Sequence, residues 1–368
     1  MFLIDRRYFR YFDWISFLLI CILSLIGLFF VFSATYKPEL PYSLFFKKQA
    51  VGIASGLIIY LLCSLCDFRF LLRFGYFAYF IVLALLSFTI LKGSIGMGAQ
   101  RWLDLGFIKI QPSELAKLLF PAYAVYYCYT ESDVLSLKFR QFIPLLVTLC
   151  ISVLLILKQP DLGTALILFI AGLMLLWLAG LHKSFFLIGG LFIIITAPLT
   201  WHMLKEYQRK RVLVFLGQGE SHKERYQIEQ SQIAIGSGGM LGKGFLRGTQ
   251  NKCQFLPESR TDFIFSVIAE ETGFIGTCMI LILFLVLFWR FMTIVNSISS
   301  PIPQLLAIGL VIHIVLSLFI NIGMVTGLLP IVGIPLPLIS YGLSNLWITF
   351  ASLGWFNGIA IRRFYWGE

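Results

Sequence analysis

From Phe291 to Ile361 the chain contains no Asp, Glu, Lys or Arg. No water-exposed surface is built that way, since about a quarter of the residues of a soluble domain are charged. A hydrocarbon core about 30 Å thick takes a helix of about 20 apolar residues, so this stretch holds more than one span. Pro301 and Pro303 interrupt it first, then Pro330, Pro335 and Pro337, because proline lacks an N–H donor and breaks helices. Spans are predicted near 303–326 and 343–361. Other uncharged runs give 14–36, 49–66, 74–91, a run at 118–130 extended back to a helical start at Pro112, 141–157, 162–181, 184–204 and 272–289. The expectation is an all-α membrane protein of about ten transmembrane helices, with residues 1–368 a single polytopic domain. Within it, 205–262 is a large external loop between the seventh and eighth spans.

Composition agrees: 59% of residues are hydrophobic, 13% are charged, and the mean hydropathy is +0.88. An ordinary soluble enzyme is excluded. The net charge is +11, but the basic residues are dispersed and the aromatics sit in apolar runs, which argues against a nucleic-acid groove. Anionic lipid head groups or phosphate-bearing substrates suit the charge better. Cys63 and Cys66 form a lone C-x-x-C without the second pair a zinc site needs, and the four histidines are scattered. The first run exceeds a signal-peptide core and reads as a retained helix. An even number of spans puts both termini on one side. That side has Arg6, Arg7, Arg10, Arg69, Arg73, Lys138, Arg140, Lys183, Arg290, Arg362 and Arg363, against Lys37, Lys47, Lys48, Lys92, Arg101, Lys109 and Lys158 opposite. The excess predicts cytoplasmic termini and an external loop at 205–262.

With that topology, the unusual polar residues gather at the outer ends of spans. GMGAQRWLDLGFIKIQPSELAK (96–117) runs from an external loop into the fourth span. Glu114 suits a first helical turn, where a carboxylate meets the positive end of the dipole; Lys117, one turn on, opposes it. The pair is either a helix ion pair or the lining of a polar cavity, since charge in a membrane helix is costly. Arg101 beside Trp102 is either an interfacial anchor or a grip for phosphate. KQPDLGTALI (158–167) opens the sixth span with Asp161, which as an isolated signal is an ordinary N-cap. LPESRTDFIFSVIAEETGFIG (256–276) carries Arg260, Asp262, Glu270 and Glu271 into the eighth helical region. Acids there need a wet cavity or an extramembrane turn to receive them. A carboxylate beside Phe263 and Phe265 suits a general base. TGLLPIVGIPLPLISYGLSN (326–345) is apolar but interrupted by proline, a candidate re-entrant wall, and irregular backbone at that depth must lie against protein or water.

GAQRWLDLGFIKIQPSELAK, QPDLGTA, QIAIGSGGMLGKGF with GTQ, FLPESRTDFIFSVIAEETGFIG and LPLISYGLSN together, in this order, resemble the SEDS family of bacterial cell-wall polymerases. The resemblance extends from end to end, and its details lean to the elongation rather than the division branch. It implies a peptidoglycan glycosyltransferase acting on lipid II and the growing glycan strand in the bacterial inner membrane, with its site on the outer face. Asp262 falls on the family's catalytic Asp. Arg101, Trp102, Glu114, Lys117 and Asp161 fall on its conserved motif positions, and Lys252 and Arg260 add basic charge for a lipid pyrophosphate. The metal ligands are unknown; a divalent cation, Mg2+ or Mn2+, is expected beside the carboxylates. A class B penicillin-binding protein transpeptidase, the elongation machinery and membrane lipids are the implied partners. Two departures stand out: Arg260 occupies a position commonly His, and Leu343 replaces the second Gly of the usual SYGG. The rival reading is a lipid II flippase, which needs polar residues through the depth of the bundle rather than at one end.

Overall fold

A computed structural model describes residues 10–39, 41–96, 99–104, 106, 109–131, 139–187, 189, 209, 213, 222–249, 255–256 and 258–363. In chain order the elements are α1 (Trp14–Thr35), α2 (Leu44–Leu65), α3 (Phe68–Lys92), β1 (Ser94–Gly96), β2 (Ala99–Asp104), β3 (Lys109–Ile110), α4 (Pro112–Glu131) and α5 (Phe139–Lys158). They continue with α6 (Leu162–Leu178), α7 (His222–Ser237), α8 (Ile264–Asn296), α9 (Pro301–Val325) and α10 (Leu343–Arg362). By length and composition α1, α2, α3, α5, α8 and α9 are each able to cross a membrane, and α6 is a shorter apolar helix.

α2 and α3 begin ahead of the uncharged stretches because their starts are set by caps rather than by hydropathy. Ser43 Oγ accepts the Phe46 N–H at 3.1 Å, so α2 begins before Lys47 and Lys48. Asp67 Oδ1 likewise accepts the Arg69 N–H at 2.9 Å and starts α3 ahead of Arg69 and Arg73. Prolines in the first turn open α9, where a missing N–H costs nothing. The eighth helical region is longer than the predicted 272–289, and at Gly273 (φ 67°, ψ −165°) two helical pieces meet at a kink. The predicted span 184–204 lies largely outside the described residues, as does much of the predicted external loop. The described part of that loop contains α7, a helix the turn-rich sequence did not announce. The segment after α3 is not plain loop either: β1, β2 and β3 form an antiparallel sheet in that order, with Asp104 paired to Lys109.

Two layers result. The inner one is α9 and α10, the latter buried along almost its whole length. Around them, α1, α2, α3, α5 and α8 turn Phe29, Ile58, Phe77, Leu154 and Trp289 outward, which suits a lipid solvent. Close approach rests on small residues: a Cβ at Gly354 of α10 would lie 2.5 Å from the Tyr60 carbonyl of α2. The bundle end that carries the start of α1 and the finish of α10 is latched by Asp13, whose N–H donates to Asn357 Oδ1 at 3.2 Å and whose carboxylate pairs with Arg290 at 2.9 Å. At the other end α4, α6, α8 and α10 all begin.

Candidate functional site at the helix-start end of the bundle

The small sheet carries Arg101 and Trp102 on β2, where successive side chains point to opposite faces. Arg101 reaches Asp161, with 3.6 Å between guanidinium nitrogen and Oδ1. Asp161 is buried and saturated: Oδ2 accepts Gln111 Nε2 at 2.6 Å and Ser113 Oγ at 3.3 Å, while Oδ1 caps α6 through the Thr164 N–H at 3.3 Å. Asp161 is thus the N-cap expected of it and also the carboxylate that grips Arg101.

On α4, Lys117 Nζ lies 2.8 Å from Glu114 Oε2, with side chains 2% and 6% exposed. Asn345 in the first turn of α10 donates to the same oxygen at 3.0 Å, and Ser344 Oγ donates to the Lys109 carbonyl at 3.0 Å. The pair therefore faces the protein interior and joins α4 to α10.

The third group surrounds Asp262. The segment 326–342 between α9 and α10 is irregular, and its polar backbone is satisfied by protein. Gln232 Nε2 donates to Thr326 O at 3.0 Å, Ser231 Oγ to Val325 O at 2.7 Å, and Gln49 Nε2 to Ser340 O at 3.2 Å. Leu338 is buried at φ 64°, a left-handed strain rare for a leucine. Against this segment lies the turn before α8. Tyr341 N–H donates to Arg260 O at 2.9 Å, Ser340 Oγ to Thr261 O at 2.6 Å, and Asn321 Nδ2 to both Asp262 O at 2.9 Å and Ile334 O at 2.7 Å. The Asp262 carboxylate looks toward Gly333, where an added Cβ would sit 3.4 Å from Oδ2. Arg260 lies over the Phe45 ring at 4.1 Å. Gly163 at the start of α6 touches the same segment, its Cβ position 2.7 Å from Val332 O. The Pro-interrupted stretch is thus the hub on which the starts of α6, α8 and α10 meet.

Glu270 and Glu271 are received elsewhere. The glycine-rich turn after α7 docks on α8: the Lys243 and Gly244 N–H groups donate to the carbonyls of Glu270 and Glu271 at 3.0 and 2.9 Å. Lys243 Nζ pairs with Glu270 at 2.7 Å, the Thr249 N–H and hydroxyl reach the same oxygen at 2.7 and 2.8 Å, and Ser33 Oγ donates to Glu271. Both carboxylates are thus received by protein groups, Glu270 by this turn and Glu271 by α1.

Of the residues singled out from sequence, Arg101 joins Asp161 and Lys117 joins Glu114, while Asp262 and Arg260 share one turn; Lys252 lies outside the described residues. Gln49, Gln111, Asn321, Ser340 and Asn345 were missed. A buried amide inside an apolar span, as at Asn321, is the signal that would have flagged one of them. Leu343, the departure from SYGG, fills the space over Gly52 of α2, where an added Cβ would stand 2.5 Å from Leu343 Cδ2.

Fold and site define a polytopic membrane protein whose polar machinery sits at one end of an apolar bundle. The family model for FtsW, RodA and SpoVE, described as "Cell cycle protein", matches residues 13–363, so the chain belongs to this family, the one its motifs resemble. Peptidoglycan glycosyltransferase MrdB of Escherichia coli (strain K12) is 40% identical over 321 residues, 86% of each chain. The MrdB of Helicobacter pylori (strain J99 / ATCC 700824) is 36% identical over 356 residues, 95% of this chain and 90% of its own. Among solved structures, one described as "Structural coordination of polymerization and crosslinking by a peptidoglycan synthase complex" superposes with TM-score 0.80 at 27% identity, covering 97% of this chain and 99% of the other. The Thermus thermophilus rod shape determining protein RodA gives 0.71 at 25% identity, with 96% and 98% covered.

Proposed function

We infer that the chain is a peptidoglycan glycosyltransferase that polymerises lipid II during cell-wall elongation. The observation that carries this is the meeting of the starts of α6, α8 and α10, with Arg260 and Asp262, on one irregular hub, beside which Arg101 pairs with the cap of α6, because helix N-termini and guanidinium groups favour an anion such as a lipid pyrophosphate. Asp262, partly exposed at the mouth of α8, accepts the proton of the acceptor sugar hydroxyl as that oxygen attacks the anomeric carbon of the donor chain. The donor's C1–O bond breaks with inversion through an oxocarbenium-like state, and the pyrophosphate leaves with its electron pair. Arg101 and Arg260 meet that charge, a reading supported by the 22% and 30% of their side chains that remain exposed. Lys117 acts from behind, through Glu114 and Asn345. The lipid-facing helices leave the polyprenyl tail in the bilayer, where each CH₂ withdrawn would cost about 0.8 kcal/mol.

Among the described residues the carboxylates do not fit a protein cage for Mg2+ or Mn2+. Asp161 and Glu114 already face cations, and among the described residues no three His, Cys, Asp or Glu side chains converge.

On this reading the chain lies in the bacterial inner membrane with both termini cytoplasmic and the site on the outer face, as the excess of basic residues on the terminal side supports. A class B penicillin-binding protein supplies the transpeptidase, alongside the elongation machinery. Purified protein in liposomes with labelled lipid II is expected to make long glycan strands. Translocation of lipid II without any polymer would favour the flippase instead.

A further inference from the structure

We propose that Asn321, together with Ser340, is a positioning residue for Asp262: side-chain amide and hydroxyl fix the backbone that aims the carboxylate. The inference rests on the reading of Asp262 as the base. Three consecutive carbonyls before α8, those of Arg260, Thr261 and Asp262, are held from segment 321–341. The first is bound by the backbone of Tyr341, but the other two are bound by side chains, Ser340 Oγ at 2.6 Å and Asn321 Nδ2 at 2.9 Å. Asn321 is fully buried on α9 and its second Nδ2 bond, 2.7 Å to Ile334 O, ties Asp262 to the residue next to Gly333, the position the carboxylate faces. Both acceptors are carbonyls, so the amide orientation is forced. Its Oδ1 is buried with no hydrogen-bond partner among the described residues, as expected of a side chain placed for its two donors. Ser340 Oγ also accepts the Leu336 N–H at 2.8 Å and so links the turn before α8 to the same loop. Remove either side chain and a carbonyl beside the base loses its tether, letting the carboxylate swing. Misplacement of about 1 Å costs a rate on the order of 100-fold.

The test uses the full chain in liposomes with lipid II. Asn321→Asp keeps the size and removes the donors; Ser340→Ala removes the hydroxyl and Ser340→Thr keeps it. For folded protein, Asn321→Asp and Ser340→Ala are expected to lower kcat by about 10- to 100-fold with KM for lipid II within about two-fold, the signature of an interaction that serves the transition state. Ser340→Thr should restore most of the rate. Asn357→Ala, at the opposite latch, should lower the melting temperature and leave kcat of the folded protein unchanged, which separates positioning from stability. A folded Asn321→Asp or Ser340→Ala variant with wild-type kcat, or one that changes KM alone, overturns the proposal. Full activity in Asp262→Asn would instead sink the reading of the base, whatever the Asn321 variants do.

Discussion

Lys117 and Glu114 lie inside the bundle, 2.8 Å apart and almost sealed from solvent. Taking both charges out of water is costly, and their attraction offsets that cost only while the pair is intact. Lys117→Met should therefore destabilise the protein by about 3–5 kcal/mol, because it strands the Glu114 carboxylate, while the double change Lys117→Met with Glu114→Gln should recover much of the loss. Thermal unfolding in detergent measures both; equal losses in the single and double variants would contradict the account. The i, i+3 spacing and the cost of charge in a membrane helix made this pair legible in the sequence. Asn345, which completes it, was not legible, since it comes from α10 across the fold. Asp161 was legible as a cap but not as the counter-ion of Arg101, for the same reason.

Among elements, the glycine-rich turn and α8 depend on each other. A Cβ at Gly238 would stand 2.1 Å from the Ala269 carbonyl, against backbone that has nowhere to move. Gly238→Ala should lift the turn off α8 and break the Lys243–Glu270 contact, which hydrogen exchange would register as faster amide exchange at 243–249. Unchanged protection there would show that the docking is not what holds the turn. The density of glycine predicted turns, and turns are present. Where they dock was hidden, because the break at Gly273 reads in sequence as one glycine in an apolar helix. The three-stranded sheet was hidden by its brevity, with strands too short to show an alternating pattern. Caps account for the helix ends that hydropathy misplaced, as at Ser43 and Asp67.

For the whole molecule, uncharged runs were sufficient to give the class, because a bilayer allows few ways to satisfy backbone polar groups. They could not say which helices are central. The most apolar windows include both α1, largely turned outward, and α9, 72% buried, since lipid and protein interior select the same residues. Order inside the bundle is set by small residues and by a few polar bridges; the Asp13 latch holds one end, and the bridges through Asp161, Glu114, Asn321 and Ser340 gather where α4, α6, α8 and α10 begin. The site is thus the place where an apolar bundle tolerates irregular backbone and charge, and Asp262 is the carboxylate that this framework presents. The most direct measurement is the initial rate of lipid II polymerisation by purified protein in liposomes, wild type against Asp262→Asn, with melting temperatures taken on the same samples. The substitution is expected to abolish polymer while the melting temperature stays within a few degrees; a folded Asp262→Asn protein that polymerises at the wild-type rate would contradict the role of Asp262 as the base.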